Sequence, residues 1–267
     1  MIGDLTGNIR AQARCLCYID MVKFENLSFS YPDGTRALNG VSLEIPAGSS
    51  VGIIGANGAG KSTLINHLNA FHLPQSGKVI VNGIESSKEN AEKLRREVGL
   101  VFQNSEDQLF MPQVIDDVLF GPMNLGTDKE AAMRDAERVM RDLDIWNLRL
   151  KPPFNLSQGQ RRFAAFATIL AMKPSVIVVD EPTSDLDPRN RRKLINLLRS
   201  LKSTCITVSH DLDFIWDTCG RVVVVSAGRV VADGRTEDIL RDRTLLEGSG
   251  LELPIRLQLS TVERQLI

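Results

Sequence analysis

Ser50-Val51-Gly52-Ile53-Ile54-Gly55-Ala56-Asn57-Gly58-Ala59-Gly60-Lys61-Ser62-Thr63-Leu64-Ile65 decides the fold: an apolar run, a glycine-rich loop and the start of a helical pattern follow one another without a break. Val51 to Ile54 reads as a buried strand, and Leu64, Ile65 and Leu68 fall at helical spacing behind the loop. Backbone N–H groups close around an anion only where no side chain blocks them, which is the reason for Gly55, Gly58 and Gly60, with Asn57 and Ala59 between them. The helix N-terminus adds unpaired donors and the positive end of a dipole. The stretch is therefore a phosphate cradle, in which Lys61 is spaced to reach β- and γ-phosphates and Ser62, followed by Thr63, to ligate Mg²⁺.

Upstream, Val22 to Phe29 and Val41 to Ile45 alternate apolar with polar residues and read as half-buried strands around a turn at Tyr31-Pro32-Asp33-Gly34. Tyr31 has two readings, a strand-end aromatic that closes a core or a flat platform for a base. Downstream, the helix runs to about Asn69, a turn at Pro74–Gly77 leads into a strand at Lys78–Asn82, and Ser87 to Arg96 looks helical. Val98 to Phe102 is a continuous apolar run that delivers Gln103 to its C-terminal end, where ligands bind in open parallel sheets.

Asn104 to Gly126 shows little regular pattern yet holds Leu109, Phe110, Met111, Val114, Ile115, Val118, Leu119, Phe120 and Met123. These form either a small subdomain core or an exposed groove for a partner helix. Asp128 to Leu143 has core-facing helical spacing, and Ser157 is a suitable N-cap for a helix running to about Ala171. Ser175 to Glu181 is an apolar strand ending in two carboxylates, Pro188 starts another helix, and Thr204 to Val208 delivers Ser209 and His210. A hairpin around Gly228 and a short helix follow.

At 267 residues the chain can bury a sizeable core as one large α/β domain, with or without an inserted subdomain. Thirty-two basic against thirty-three acidic residues give a net charge of −1, which argues against nucleic acid as a partner. Cys15, Cys17, Cys205 and Cys219 form no Cys-x2-Cys pair and, with three histidines in the chain, no zinc spacing, so they read as reduced thiols. No run approaches 18 consecutive apolar residues, so a membrane role is peripheral. Residues 1–20 lack a signal-like apolar core, and Met21 stands directly before the first strand, so they read as a dispensable extension.

Hydrolysis of a nucleoside triphosphate needs cradled phosphates, a held metal and an in-line water. Lys61 and the loop amides suit the phosphates, Ser62 and Asp180 the metal, and Glu181 the water. Gln103 suits both water and metal, and His210 a donor toward the γ-phosphate. In this order the phosphate loop, Gln103, Leu156-Ser157-Gln158-Gly159-Gln160, Val176 to Glu181, Ser184-Asp185-Leu186-Asp187 and His210 resemble the Walker A, Q-loop, signature, Walker B, D-loop and switch histidine of ABC transporter nucleotide-binding subunits. The resemblance covers roughly residues 22–234.

It implies an α/β P-loop NTPase core with a mainly parallel sheet, an antiparallel β subdomain and an inserted α-helical subdomain. The ATPase domain would span 21–240, with the helical insert at about 104–172 and a C-terminal tail at 241–267. It further implies ATP and Mg²⁺ as ligands, Tyr31 stacked on adenine, and a head-to-tail dimer, homo- or heterodimeric, in which the signature residues clamp nucleotide held by the partner. Family members usually carry glycine where this chain has Gln158. If that position needs φ > 0, glutamine would strain it by about 1–3 kcal/mol.

Asp107-Gln108-Leu109-Phe110 and Asp117 to Gly126, with the Leu253-Pro254 tail, look like the ATPases of energy-coupling-factor importers, particularly the cobalt and nickel branch. That resemblance implies a peripheral subunit on the cytoplasmic face of the membrane, docked on an integral coupling subunit beside a separate substrate-recognition membrane protein. The alternative is a non-transport member of the same superfamily, a nucleotide-gated clamp in DNA repair or translation; repair members carry long coiled-coil insertions and translation members usually two cassettes, whereas here one cassette is present and 119 positions separate Lys61 from Asp180. A small-molecule kinase or GTPase would leave the signature and His210 unexplained.

Overall fold

The computed structural model describes residues 21–184 and 186–258; the N-terminal extension and Asp185 of the expected D-loop lie outside the described residues. Among the described residues, ten strands form two sheets. β1 (Met21–Ser30), β2 (Arg36–Pro46), β4 (Ser76–Val81) and β5 (Ile84–Glu85) make an antiparallel sheet in the order β2-β1-β4-β5. β3 (Ser50–Ile54), β6 (Val98–Val101), β7 (Val176–Asp180), β8 (Thr204–Val208), β9 (Arg221–Ser226) and β10 (Arg229–Arg235) make the second, in the order β10-β9-β3-β8-β7-β6. All its pairs are parallel except the β9–β10 hairpin.

Every residue of β8 and all of β7 but Asp180 are buried, which is why these strands read as unbroken apolar runs. Parallel pairing brings their C-terminal ends to one edge. Gly55 after β3, Gln103 beyond β6, Asp180 and Glu181 at the end of β7, and Ser209 and His210 beyond β8 therefore gather there.

The helices are α1 (Lys61–Asn66), α2 (Ala91–Glu97), α3 (Val114–Asn124), α4 (Lys129–Asp142), α5 (Gln158–Leu170), α6 (Pro188–Ser200), α7 (Leu212–Thr218), α8 (Thr236–Arg241) and α9 (Arg243–Gly248). α1 keeps the first turns of its expected span and stops short of Asn69, whereas α2 keeps the last turns of its own and starts later than Ser87. The larger departure is α3, a helix where no pattern was expected. Pro122 lacks an amide proton and Gly121 has low helix propensity, so the local signal is broken. Packing overrides it: a Cβ on Gly121 would come 2.5 Å from Met172 Sδ, and Val114, Val118 and Leu119 are buried against α4 and α5.

These three helices share a core of Val118, Ala136, Met140, Phe163 and Phe166 that continues onto Val101, Ile177 and Val179 of the parallel sheet. Phe166 is fully buried there, and its truncation to Ala should cost about 3–5 kcal/mol. The opposite sheet face packs Leu64, Ile65 and Leu68 behind the phosphate loop against Phe24, Leu27 and Leu38 of the antiparallel sheet. Cys205 and Cys219 are buried free thiols, and burial pushes the Cys205 thiol up to about 12. Residues beyond 241 are part of the fold as far as Gln258: α9 buries Leu246, and Leu251 and Leu253 pack beside Leu212 and Ile215.

Candidate nucleotide site

A cleft of about 670 Å³ opens at the carboxyl edge of the parallel sheet, lined by the phosphate loop, Tyr31, Gln103, Asp180, Glu181 and His210. Two glycines of the loop are there for space: a Cβ on Gly55 would lie 2.1 Å from the Val225 carbonyl oxygen, and one on Gly60, at φ 103°, 2.4 Å from that of Ala37. No L side chain fits either position. Lys61 is buried, and its ammonium donates to the carbonyls of Gly55 (2.8 Å) and Ala56 (3.0 Å). Burial lowers its pKa, with the charges of Glu181 and Asp180 opposing the shift.

Asp180 is held above the usual carboxylate range by burial, with a hydrogen bond from Ser62 pulling the other way. Its Oδ1 is buried with no hydrogen-bond partner. A buried carboxylate oxygen of this kind is costly unless something cationic completes it. One carboxylate beside one hydroxyl suits Mg²⁺, which takes one or two protein ligands plus phosphate and water. Among the described residues no cluster of three His, Cys, Asp or Glu side chains offers an all-protein cage instead.

Glu181 is the most constrained residue of the cleft. Its backbone lies in the left-handed region at φ 44°, a conformation that costs a non-glycine residue about 1–3 kcal/mol unless its surroundings fix it. They do: its amide donates to the Val208 carbonyl (2.8 Å), and its Oε2 accepts from Ser209 Oγ (3.1 Å), His210 N (3.3 Å) and His210 Nδ1 (2.8 Å). Because an ionised carboxylate only accepts, the His210 ring proton sits on Nδ1.

Tyr31 follows β1 directly. Its ring meets Phe29 and His72 edge-on, at 5.3 and 5.7 Å between centroids, and its hydroxyl is 2.9 Å from Thr63 Oγ1, yet it also borders the cleft.

The signature residues are not in this cleft. Ser157 caps α5 in a capping box, with Gln160 N–H donating to its hydroxyl at 3.4 Å and Ser157 N–H donating to Gln160 Oε1 at 3.0 Å. Gln158 is the first residue of α5 and is absent from the residues with positive φ, so the expected condition for strain is not met. Gly159 packs against α6, where a Cβ would stand 2.5 Å from Asn190 Nδ2. Ser184 lies on the same side as Gln158, whereas Asp187 caps α6 by accepting from Asn190 N–H at 2.9 Å.

Three residues outside the expected set tie the site together. Arg162, buried in α5, donates to the carbonyls of Phe102 and Gln103 (both 2.8 Å), which pins Gln103 to the signature helix. Its signal was the second of two adjacent arginines, directly before the run Phe163-Ala164-Ala165-Phe166-Ala167. Ser209, fully buried, was visible only as the neighbour of His210. Leu251, assigned to the tail, lines the cleft beside Ala56.

The family model described as ABC transporter matches residues 38–184. The chain is 46% identical over 241 residues to the energy-coupling factor transporter ATP-binding protein EcfA of Carboxydothermus hydrogenoformans, covering 89% of each. It superposes with TM-score 0.76 on CbiO1 of Clostridium perfringens, part of the transporter complex CbiONQ, at 32% identity over 92% of this chain and 98% of that one. The cassette MJ0796, solved as a dimer in a post-hydrolysis state with ADP and Pi, gives TM-score 0.73 at 27% identity, covering 80% of this chain and 98% of that one. With more than half its length inside the family model and close similarity to ATP-binding subunits, this chain belongs to the ABC transporter family and is one of its Mg²⁺-dependent ATPases.

Proposed function

We propose that the chain is the motor subunit of an energy-coupling-factor importer, working as a dimer on the cytoplasmic face of the membrane and serving a cobalt or nickel carrier. The observation that carries the motor reading is the split between two half-sites. Lys61, Asp180, Glu181 and His210 share one cleft, while the capped N-terminus of α5 at Ser157–Gln160 points its chemistry elsewhere. A second subunit placed head to tail supplies that missing anion site, through helix donors aimed at the γ-phosphate.

Lys61 and the loop amides would then bind the phosphates, Tyr31 the adenine face, and Ser62, Asp180 and Gln103 would hold Mg²⁺. When bound, the metal neutralises charge on the phosphate oxygens. Glu181 takes a proton from the attacking water as its oxygen bonds to the γ-phosphorus and the bond to the β–γ bridging oxygen breaks. Oε2 is already occupied by three donors, which leaves Oε1 as the base. For His210 to donate to the phosphate from Nε2 while keeping its Glu181 bond, its ring must carry both protons.

A membrane partner would dock on the helical subdomain. Phe110, Phe120 and Met123 are exposed there, Phe110 and Phe120 stack edge to face at 5.0 Å, and buried Asp117 fixes the loop by accepting from the amides of Phe110 (3.0 Å) and Met111 (3.1 Å). Arg162 ties α5 of the same subdomain to Gln103, which borders the cleft. No helix among the described residues is long and apolar enough to cross a membrane, so the transmembrane path belongs to the partner. The cargo assignment rests on the Asp107–Phe110 and Asp117–Gly126 resemblance and on the similarity to CbiO1. Mass spectrometry of the complex co-purified from native membranes tests it: a cobalt- or nickel-type recognition protein is expected, and a vitamin-type one would reassign the cargo while keeping the motor.

A further inference from the structure

We propose that Ser209 is a positioning residue for ATP hydrolysis, and that Arg191 acts through it by way of Asp211. The inference rests on Glu181 being the base. Ser209 Oγ is fully buried at the end of β8 and makes two bonds of opposite sense: it accepts from Asp211 N–H (3.1 Å) and donates to Glu181 Oε2 (3.1 Å). The accepted bond leaves the hydroxyl its single proton for Glu181, so the rotor has one productive setting. That bond holds one carboxylate oxygen and leaves the other for water.

His210 also binds Oε2, but its side chain is 67% exposed. Ser209 is the buried member of the pair. Asp211, on which the serine depends, is held in turn. Its carboxylate accepts from Phe214 N–H (2.8 Å) as the cap of α7, and it takes a two-nitrogen grip from Arg191 of α6, with Nε at 3.3 Å and Nη2 at 3.1 and 3.2 Å. Forked pairs of this type fix orientation as well as distance.

Asn190, next to Arg191 on α6, is the residue packed on Gly159 of the signature helix. The helix that touches the signature therefore also sets the serine that aims the base. Ser209 need not touch nucleotide for this: misplacing a catalytic group by about 1 Å is worth up to ~10²-fold in rate.

The test uses full-length Ser209→Ala, Arg191→Met, the double variant and Glu181→Gln, with kcat and KM for Mg-ATP and equilibrium binding of a fluorescent ATP analogue. Ser209→Ala should lower kcat by ~10-fold or more, with KM and analogue affinity within about twofold of wild type. Arg191→Met should lower kcat less, and adding it to Ser209→Ala should lower kcat no further, since residues acting in series are not additive. Wild-type kcat in Ser209→Ala, a defect carried in KM and analogue affinity, or a double variant that multiplies the two losses would each overturn the proposal. An inactive Glu181→Gln beside a fully active Ser209→Ala rejects the serine alone, whereas a fully active Glu181→Gln rejects the base on which it rests.

Discussion

At the carboxyl edge of the parallel sheet, Lys61 and Glu181 are buried and tied to backbone or neighbouring side chains, whereas on the helical subdomain Phe110, Phe120 and Met123 stand 63%, 45% and 46% exposed. The first region spends conformational freedom in advance. Its glycines, its left-handed Glu181 and its uncompensated Asp180 oxygen are tolerable because a rigid sheet fixes them and a charged ligand completes them. The second region keeps apolar area in water, where Asp117 and the α3 core hold it in one shape, as the proposed docking of a partner requires. The polar groups gather at strand ends and the segments that follow them, whereas the proposed recognition face lies on a helix and its preceding loop.

The largest separation of the two regions should come from Lys61→Ala. Losing two charge-assisted phosphate bonds should weaken Mg-ATP binding by about 3–6 kcal/mol, or ~10²–10⁴-fold by calorimetry, with assembly on the membrane partner intact. Wild-type ATP affinity would remove Lys61 from the site.

The next effect is on stability and belongs to the nucleotide side alone. His67, beneath the phosphate loop, is fully buried with Nδ1 2.7 Å from the Thr63 carbonyl and Nε2 unpartnered, and burial pushes its pKa from 6.5 down to about 4. The unfolded chain therefore binds the extra proton first as pH falls. Stability should be complete above pH 6.5, decline by about 3 kcal/mol between pH 6.5 and 4, and lose nothing more from this group below that. His67→Asn keeps a donor for Thr63 and should flatten this part of a denaturation profile; an unchanged slope would assign it to other groups.

Phe110→Glu should act on the other region. A charge in an apolar contact should cost about 2 kcal/mol of assembly, roughly 30-fold, while the ATPase of the isolated subunit stays within about twofold. Unchanged assembly there and in Phe120→Glu would reject the docking surface.

The smallest effect should be Gly159→Ala, where Asn190 must shift by a few tenths of an ångström or more. About 1 kcal/mol of stability is expected, seen as a few degrees in Tm, and a larger loss would mean that Asn190 cannot move.

The sequence was most legible where side-chain chemistry and backbone geometry demand the same residues. The phosphate loop, the acids ending β7 and His210 beyond β8 could be placed because apolar runs mark central parallel strands, and such strands share one functional edge. α3 was hidden because Gly121 and Pro122 contradict local propensity, and only packing on Met172 and α5 restores the helix. For the same reason, residues 104–126 showed that apolar groups were plentiful without showing which of them face out. Arg162 and Ser209 were missed because their partners are backbone carbonyls and a carboxylate distant in sequence, and the positive φ of Glu181 has no compositional signature.

The central claim, that Glu181 is the base of an ATPase whose two half-sites meet across a dimer, is tested most directly by single-turnover ATP hydrolysis in Glu181→Gln with gel filtration of the same sample. The account predicts hydrolysis slowed by ~10²-fold or more, with Mg-ATP still bound and a stable dimer that the wild type forms only transiently. Hydrolysis at the wild-type rate, or a nucleotide-loaded variant that stays monomeric, would contradict it.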